Sequence, residues 1–338
     1  MAERRRLWAL DGLRGLAALA VVAYHYLDRG PSLYSELGQR HPWLDWGRYG
    51  VQLFFIISGF VIFNSVRGTA TRRFFANRAI RLYPAYWVAV ILTFTVVLVF
   101  GLPGRETSAP VALMNLTMLE GFFGIPYVDG AYWTLAIELT FYVAIALLAR
   151  TRALADRFIF VTLFAWLAVA LTVRTVGFLF NGNAAIDVLA GIAYWMPVFL
   201  IGIALNIGND TGRWLLPIAV IVTALIIVAP GDLSVVPPLT VATLLTVGAI
   251  YVKLPERLRP TSDYLGELSY PVYLVHQNIG YVILLALVPL GIPQLGATAI
   301  AAATAIALAT VISYSIDIPV RRRLRALVAA RSRSSDTA

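Results

Sequence analysis

The stretch LWALDGLRGLAALAVVAYHYL, residues 7–27, decides how the chain must be read. The run is apolar and long enough to cross a hydrocarbon core about 30 Å thick, yet it carries Asp11, Arg14 and His25. Eleven residues separate Arg14 from His25, close to three helical turns. A straight helix therefore puts both side chains on nearly the same face, about 16 Å apart along its axis. Asp11, three residues before Arg14, shares that face. A charge within a membrane span costs on the order of several kcal/mol unless it lines a bundle interior or a wet cavity, which makes these residues functional candidates. The alternative is that Asp11 and Arg14 pair at headgroup level and only anchor the helix end, with His25 an interfacial histidine.

The composition agrees with a membrane protein. Of 338 residues, 59% are hydrophobic and 13% charged, against about 25% charged in soluble domains, and the mean hydropathy is +0.78. The expected class is all-α and polytopic. The formal charge of +9 does not call for nucleic acid, because the basic residues cluster beside apolar spans, where they set topology and meet anionic lipid or a phosphorylated cosubstrate. Cysteine is absent and the histidines are His25, His41 and His276. Disulfides and thiolate catalysis are excluded, and no dedicated metal site is expected. No small-residue cleavage site follows the first run and Arg14 interrupts it, so it is a retained span rather than a signal peptide.

Arg4, Arg5 and Arg6 hold the N-terminus in the cytoplasm and put His25 toward the far side. Residues 28–49, with His41, Trp43 and Trp46, form a first outer loop. Further spans are expected at about 50–66, 84–101, 131–149, 158–176, 194–207, 214–229, 235–252, 270–290 and 296–316. Arg67, Arg72, Arg73, Arg78 and Arg81 fill a short cytoplasmic loop, and Pro84 then sits in the first turn of a span, where its missing N–H costs nothing. Residues 102–130 are a second outer stretch whose middle, ALMNLTMLEGFF, suits an interfacial or re-entrant helix. Arg150, Arg152 and Arg157 return the chain to the cytoplasm, while residues 177–193, with Asn181, Asn183 and Asp187, lie outside. Lys253, Arg257 and Arg259 mark another inner loop, and Arg321, Arg322, Arg323 and Arg325 put the C-terminus inside. Ten spans with both ends cytoplasmic satisfy every basic cluster. Residues 1–326 then form one membrane domain, and 327–338 a short disordered tail.

Four polar features need a joint explanation: the Arg14/His25 face, Arg78 with Arg81, Glu138, and His276. Arg78 and Arg81 are spaced i,i+3, so a continuous helix presents adjacent guanidiniums suited to phosphates, although topology alone accounts for the same charge. A ligand with a phosphorylated head and a long thin arm would set its phosphates at the inner arginines and its reactive end near an outer histidine. Coenzyme A has that form. His25 would then be a base of suitable pKa for an acceptor hydroxyl, which would attack a thioester directly, there being no cysteine to carry an acyl group. Glu138 is open to several roles: orienting a catalytic histidine, receiving a proton, gripping the acceptor, or pairing with an arginine. His276, on an aromatic-rich stretch, suits a hydrogen-bonded packing residue better than a second catalyst.

LDGLRGLAALAVVAYH at 10–25, GVQLFFIISGF at 50–60, RFFANRAIRLYPAYW at 73–87, YWTLAIELTFY at 132–142, LGELSYPVYLVHQ at 265–277 and the SYSIDIPVRR ending at 322 together resemble the integral-membrane acyltransferase 3 family. The resemblance runs in order through nearly the whole chain. It implies a ten-helix core in a bacterial inner membrane that takes an acyl group, usually acetyl from acetyl-CoA, to a hydroxyl of a glycan, glycolipid or small molecule, with no permanently bound cofactor. By motif match, Arg14 and His25 correspond to the family's essential arginine and histidine. Arg78 and Arg81 fall on its Arg-x-x-Arg motif for acyl-CoA handling, and Glu138 on the acid of a Trp-(Ser/Thr)-Leu-x-x-Glu pattern that begins at Trp133. His276 matches the histidine of a Tyr-Leu-x-His segment. The resemblance thus implies His25 and Glu138 as catalytic, and Arg14, Arg78, Arg81, Tyr83, Trp133 and His276 as substrate- or acyl-CoA-binding.

Two positions depart from the family pattern. Gln52 stands where many members have an acid, which weakens any mechanism using a carboxylate there, and Asp317 replaces the commoner glutamate before Pro319 while keeping the charge. Some members append an outer esterase-like domain; its absence here implies a separate partner for handling the acceptor, or a transfer confined to the membrane. A carrier or flippase for lipid-linked sugars also fits buried charges in a multi-span chain, but it gives no reason for inner arginines aligned with an outer histidine.

Overall fold

The computed structural model describes residues 7–151, 153–180, 184–229 and 233–335. Arg4, Arg5, Arg6, Arg152, Asn181 and Asn183, all used above for topology, lie outside the described residues. The described chain is helical: α1 (Trp8–Tyr24), α2 (Gly50–Val66), α3 (Thr71–Phe100), α4 (Trp133–Ala149), α5 (Ile159–Leu179), α6 (Ala184–Thr211), α7 (Leu215–Val228), α8 (Val236–Tyr251), α9 (Arg259–Val275), α10 (Gln277–Leu287), α11 (Gln294–Val311) and α12 (Ile318–Ser335), with shorter helical turns between them.

Among the described residues, seven helices are long and apolar enough to cross a membrane, or eight if the bent pair α9 and α10 is one span. The protein is a polytopic membrane bundle. The expected ten spans are not all reached by this criterion, since α1 has 17 residues and α7 has 14.

Several boundaries differ from the sequence expectation. The arginines 72 to 81 do not form a loop: α3 begins at Thr71 and carries Pro84 in its interior. The stretch RRFFANRAIRLY contains good helix formers and buries Phe74, Ile80 and Leu82, so the helix runs through a proline that removes one hydrogen-bond rung. The span placed at 194–207 is part of a 28-residue helix, α6. Most of the loop expected at 177–193 is therefore helical, because AAIDVLAGIAY contains a single charge and no strong breaker. Span 270–290 is broken, with a bend of 67° between α9 and α10 that falls at His276. At the C-terminus α12 continues to Ser335 through the segment expected to be a disordered tail.

The chain divides into two compact units. The first comprises residues 1–50, 75–136 and 254–338, and its axis is the packing of α1 along α9. A Cβ placed on Gly15 would stand 2.5 Å from Cβ of Leu265, and one on Gly266 would stand 2.7 Å from Cβ of Asp11. Glycines at these positions let the two backbones touch, as small residues do at helix interfaces in lipid, and the Ser262 hydroxyl donates to the Trp8 carbonyl across the seam. The second unit comprises residues 51–74 and 137–253. There α2 crosses α6 at Gly59 and Gly202, which face the backbone of Phe199 and Ile56 respectively. Asn206 Nδ2 donates to the Phe60 carbonyl at 3.0 Å, and Phe199 stacks between Phe55 at 4.5 Å and Phe141 at 4.2 Å.

Candidate functional site

In the first unit α1 gives way to a π-helical turn, His25–Arg29. Such insertions re-aim side chains and recur at functional sites. The turn leaves His25 half-buried with Nδ1 2.9 Å from the Val21 carbonyl. Facing it is the elbow between α9 and α10, where His276 is fully buried. His276 Nε2 lies 3.1 Å from His25 Nδ1, and His276 Nδ1 lies 2.8 Å from the Tyr273 carbonyl. The Tyr26 hydroxyl donates to the His276 carbonyl at 2.6 Å.

The elbow is held from the outer stretch. Buried Asp129 accepts from the backbone N–H of Ala131 and of Asn278, both at 2.9 Å, so one carboxylate caps two helical starts. Asn278 Nδ2 donates back to the Val128 carbonyl at 2.8 Å. Burial lifts the Asp129 carboxyl to about 6 despite these two donors.

At the other end of the same unit, α3, α9 and α12 bring charges together. Arg321 bonds Glu267 at 2.6 Å and Asp317 at 3.1 Å, and Arg81 Nη1 lies 3.9 Å from Asp317 while its guanidinium sits over the Tyr270 ring. Arg14 and Arg321 both lie close enough to act on the charge of Arg81. Asp317 ends a second π-helical turn, Ile312–Asp317.

The structure brings His25 into contact with His276, which the sequence reading took for a packing residue, and sets Arg14 near enough to Arg81 to act on its charge, with Asp317, Arg321 and Glu267 in the same inner cluster. Arg78 is half-buried on the same helix as Arg81. Tyr83 is committed elsewhere, its hydroxyl donating to the Thr117 carbonyl at 2.9 Å. Trp133 opens α4, half-buried. Glu138 lies in the second unit, where its Oε1 accepts from Ser58 Oγ at 3.0 Å and from the Tyr142 hydroxyl at 2.5 Å. Gln52, also there, is buried. The sequence reading missed Asp129, Arg105, Gln277, Asn278 and Tyr281; the polar pair Gln277-Asn278 directly after His276, in an otherwise apolar run, was the available signal.

The first unit is thus an apolar helical bundle of a membrane protein with a contacting imidazole pair at one end and a buried arginine–carboxylate cluster at the other. The acyltransferase 3 family, described as an acyltransferase domain, matches residues 7–317, and the chain belongs to that family: it is a membrane acyltransferase. It is 31% identical to nodulation protein 10 of Rhizobium leguminosarum bv. viciae over 29% of this chain and 32% of that protein. It is 27% identical to the acyltransferase MdmB of Streptomyces mycarofaciens over 80% of this chain and 78% of MdmB. With the peptidoglycan O-acetyltransferase OatA of Listeria monocytogenes it shares 26% identity over 41% of this chain. The matches span 32% of the nodulation protein and 24% of OatA. No solved structure matches the chain.

Proposed function

We propose that this chain moves an acyl group, acetyl in the first instance, from acyl-CoA to a hydroxyl of an envelope glycan, glycolipid or small molecule, with His25 as the general base. The observation that carries the proposal is the 3.1 Å contact of His276 Nε2 with His25 Nδ1. A carbonyl only accepts, so His276 Nδ1 bears the proton that faces Tyr273, and His276 Nε2 is left as an acceptor. That acceptor and the Val21 carbonyl both call for the proton of His25 on Nδ1. His25 Nε2 then carries a lone pair, which is the form a base needs.

In the reaction the acceptor hydroxyl gives its proton to His25 Nε2 as its oxygen bonds to the thioester carbonyl carbon. The carbon–sulfur bond breaks, and the imidazolium returns the proton to the departing thiolate. Arg14, Arg78 and Arg81 are assigned to the donor's phosphates. The 3.9 Å separation of Arg81 from Asp317 supports a guanidinium able to exchange partners. Trp133 and Tyr83 are assigned to the walls of the donor route, Tyr83 through its ring. Glu138 keeps its assignment as a second catalytic residue in addition to His25, with its Oε1 accepting from Ser58 Oγ and the Tyr142 hydroxyl. Counting α1 and α7 with the eight spans gives ten, with both termini in the cytoplasm of a bacterial cell and His25 toward the outer side. OatA's name supports a hydroxyl acceptor in the envelope.

Purified protein with labelled acetyl-CoA tests the base. His25→Ala and His25→Gln are expected to lower transfer at least about a hundredfold with donor affinity within twofold. Transfer retained by His25→Ala removes the catalytic assignment.

A further inference from the structure

The 67° bend between α9 and α10 opens the backbone ladder at His276, and the groups it releases take partners elsewhere in the first unit. An unbroken helix would spend the Gln277 N–H on the Tyr273 carbonyl and the Asn278 N–H on the Leu274 carbonyl. Here the Tyr273 carbonyl faces His276 Nδ1 at 2.8 Å, the Leu274 carbonyl accepts from the Tyr132 hydroxyl at 3.2 Å, and the Asn278 N–H donates to Asp129 Oδ2 at 2.9 Å. Asp129 is fully buried, and its place is set in advance. Asn115, also buried, accepts from the Val128 N–H and donates to the Pro126 carbonyl, both at 2.9 Å, while the Val128 carbonyl accepts from Asn278 Nδ2 at 2.8 Å. Arg105 lies near enough to favour the ionised Asp129 carboxylate.

We infer that Asp129 is a positioning residue for acyl transfer: its carboxylate holds the helix open at His276 and thereby keeps that imidazole against His25. The inference rests on the reading of His25 as the base. The competing state is the straight helix. A buried N–H left without an acceptor costs about 1–3 kcal/mol, and for the Asn278 N–H the backbone alternative to Asp129 is the Leu274 carbonyl four residues back. Closing that rung reduces the bend, and the Gln277 N–H then competes with His276 for the Tyr273 carbonyl. Both changes act on the same imidazole. Its ring is drawn away from His25, and its Nδ1 loses the acceptor that fixes the tautomer. Tyr132 works from the other side of the break, since its hydroxyl occupies the Leu274 carbonyl that the straight helix needs. Asp129 thus acts on the reaction only through His276.

The test uses the full chain in detergent and its three histidines, His25, His41 and His276. With isotope-labelled histidine, nitrogen NMR above about pH 8, where imidazoles are neutral, reports which ring nitrogen carries the proton. Wild type is expected to show His25 and His276 each in one form, protonated on Nδ1. Asp129→Asn keeps the shape but sets an amide against two N–H groups, and is expected to give both imidazoles mixed forms while the His41 signals stay in place. Tyr132→Phe removes no charge and is expected to act in the same direction to a smaller extent; it decides the matter by itself if Asp129→Asn does not fold. His25 and His276 signals identical to wild type in the folded variants overturn the inference. Label fixed from acetyl-CoA by inverted membrane vesicles of the expressing cells gives the second readout. Asp129→Asn is expected to lower kcat about tenfold with donor KM within twofold, and to lower it no further when His276 is already replaced by Phe. Losses that multiply in the double variant make Asp129 a cap of general stability and overturn the positioning role. The two readings fail separately. Transfer surviving in His25→Ala removes the base and leaves the imidazole signals to decide on Asp129, whereas multiplied losses with His25→Ala inactive remove the positioning role and leave the base.

Discussion

His276 Nε2 stands 3.1 Å from His25 Nδ1, although 251 residues separate them in the chain. The contact joins the π-helical end of the first long helix to the elbow between α9 and α10, and it makes the tautomer of one imidazole depend on the other.

Replacing His276 with Phe removes that acceptor and frees His25 to carry its proton on either nitrogen. The expected result is a fall in kcat of about a hundredfold with donor KM unchanged. His276→Gln keeps a carbonyl oxygen able to accept from His25 Nδ1 and should recover part of the loss. Steady-state kinetics decide it: equal losses in the two variants make the pair a packing contact only.

The inner cluster separates charge balance from donor binding. Arg78→Lys keeps the charge but loses the planar fork that grips phosphate, so donor affinity should fall about tenfold with stability unaltered. Asp317→Ala leaves Arg321, 9% exposed, without one of its two carboxylates; breaking a buried pair costs about 3–5 kcal/mol, which thermal unfolding in detergent should register. Donor-binding isotherms at wild-type affinity for both Arg78→Lys and Arg81→Ala would remove the phosphate assignment.

Glu120, in the outer stretch, is 1% exposed, and burial raises its carboxyl from 4.5 to about 7. The hydroxyl of Tyr86 spends its proton on the Asn115 carbonyl at 2.7 Å while standing 3.3 Å from Glu120 Oε1, so a protonated Glu120 can donate to it. A folded pKa above the unfolded one means the contribution is fully present below pH 4.5 and is lost as pH rises through 7. The Glu120 contribution should therefore be larger at pH 5 than at pH 8, by up to about 3 kcal/mol. Asp129 acts with the same sign in both proteins, so the difference between wild type and Glu120→Gln isolates Glu120. Parallel curves of unfolding temperature against pH would show that Glu120 is not the group responsible.

The absence of cysteine makes topology directly measurable. Single cysteines at exposed Ser35 and Arg257 should react with an impermeant thiol reagent from opposite sides, Ser35→Cys from outside and Arg257→Cys only after permeabilisation. Reaction of both from the same side contradicts the positive-inside assignment.

The spacing of Arg14 and His25 was legible because an apolar run tolerates few charges, and each one left in place stands out. The same logic hid the helix boundaries around them. Arginines 72 to 81 suggested a loop, but their stems and the intervening Phe74 and Ile80 sustain a helix that starts at Thr71; lipid rewards an unbroken ladder of backbone hydrogen bonds more than the sequence pattern of charge reveals.

By itself the sequence determined that this is an all-helical membrane protein, that it belongs among membrane acyltransferases, and which polar side chains sit where hydrocarbon should be, since the cost of burying charge is written residue by residue. Only the tertiary structure decided which of those side chains meet. His276 reaches His25 through a 67° bend at a break between helices, Asp129 caps that break from a loop about 150 residues away, and Arg81 finds Asp317 from the far end of the chain. Such pairings depend on helix rotation, on glycines that let α1 and α9 touch, and on the balance of donors and acceptors in the bundle. These are properties of packing between distant segments, which a local pattern does not encode.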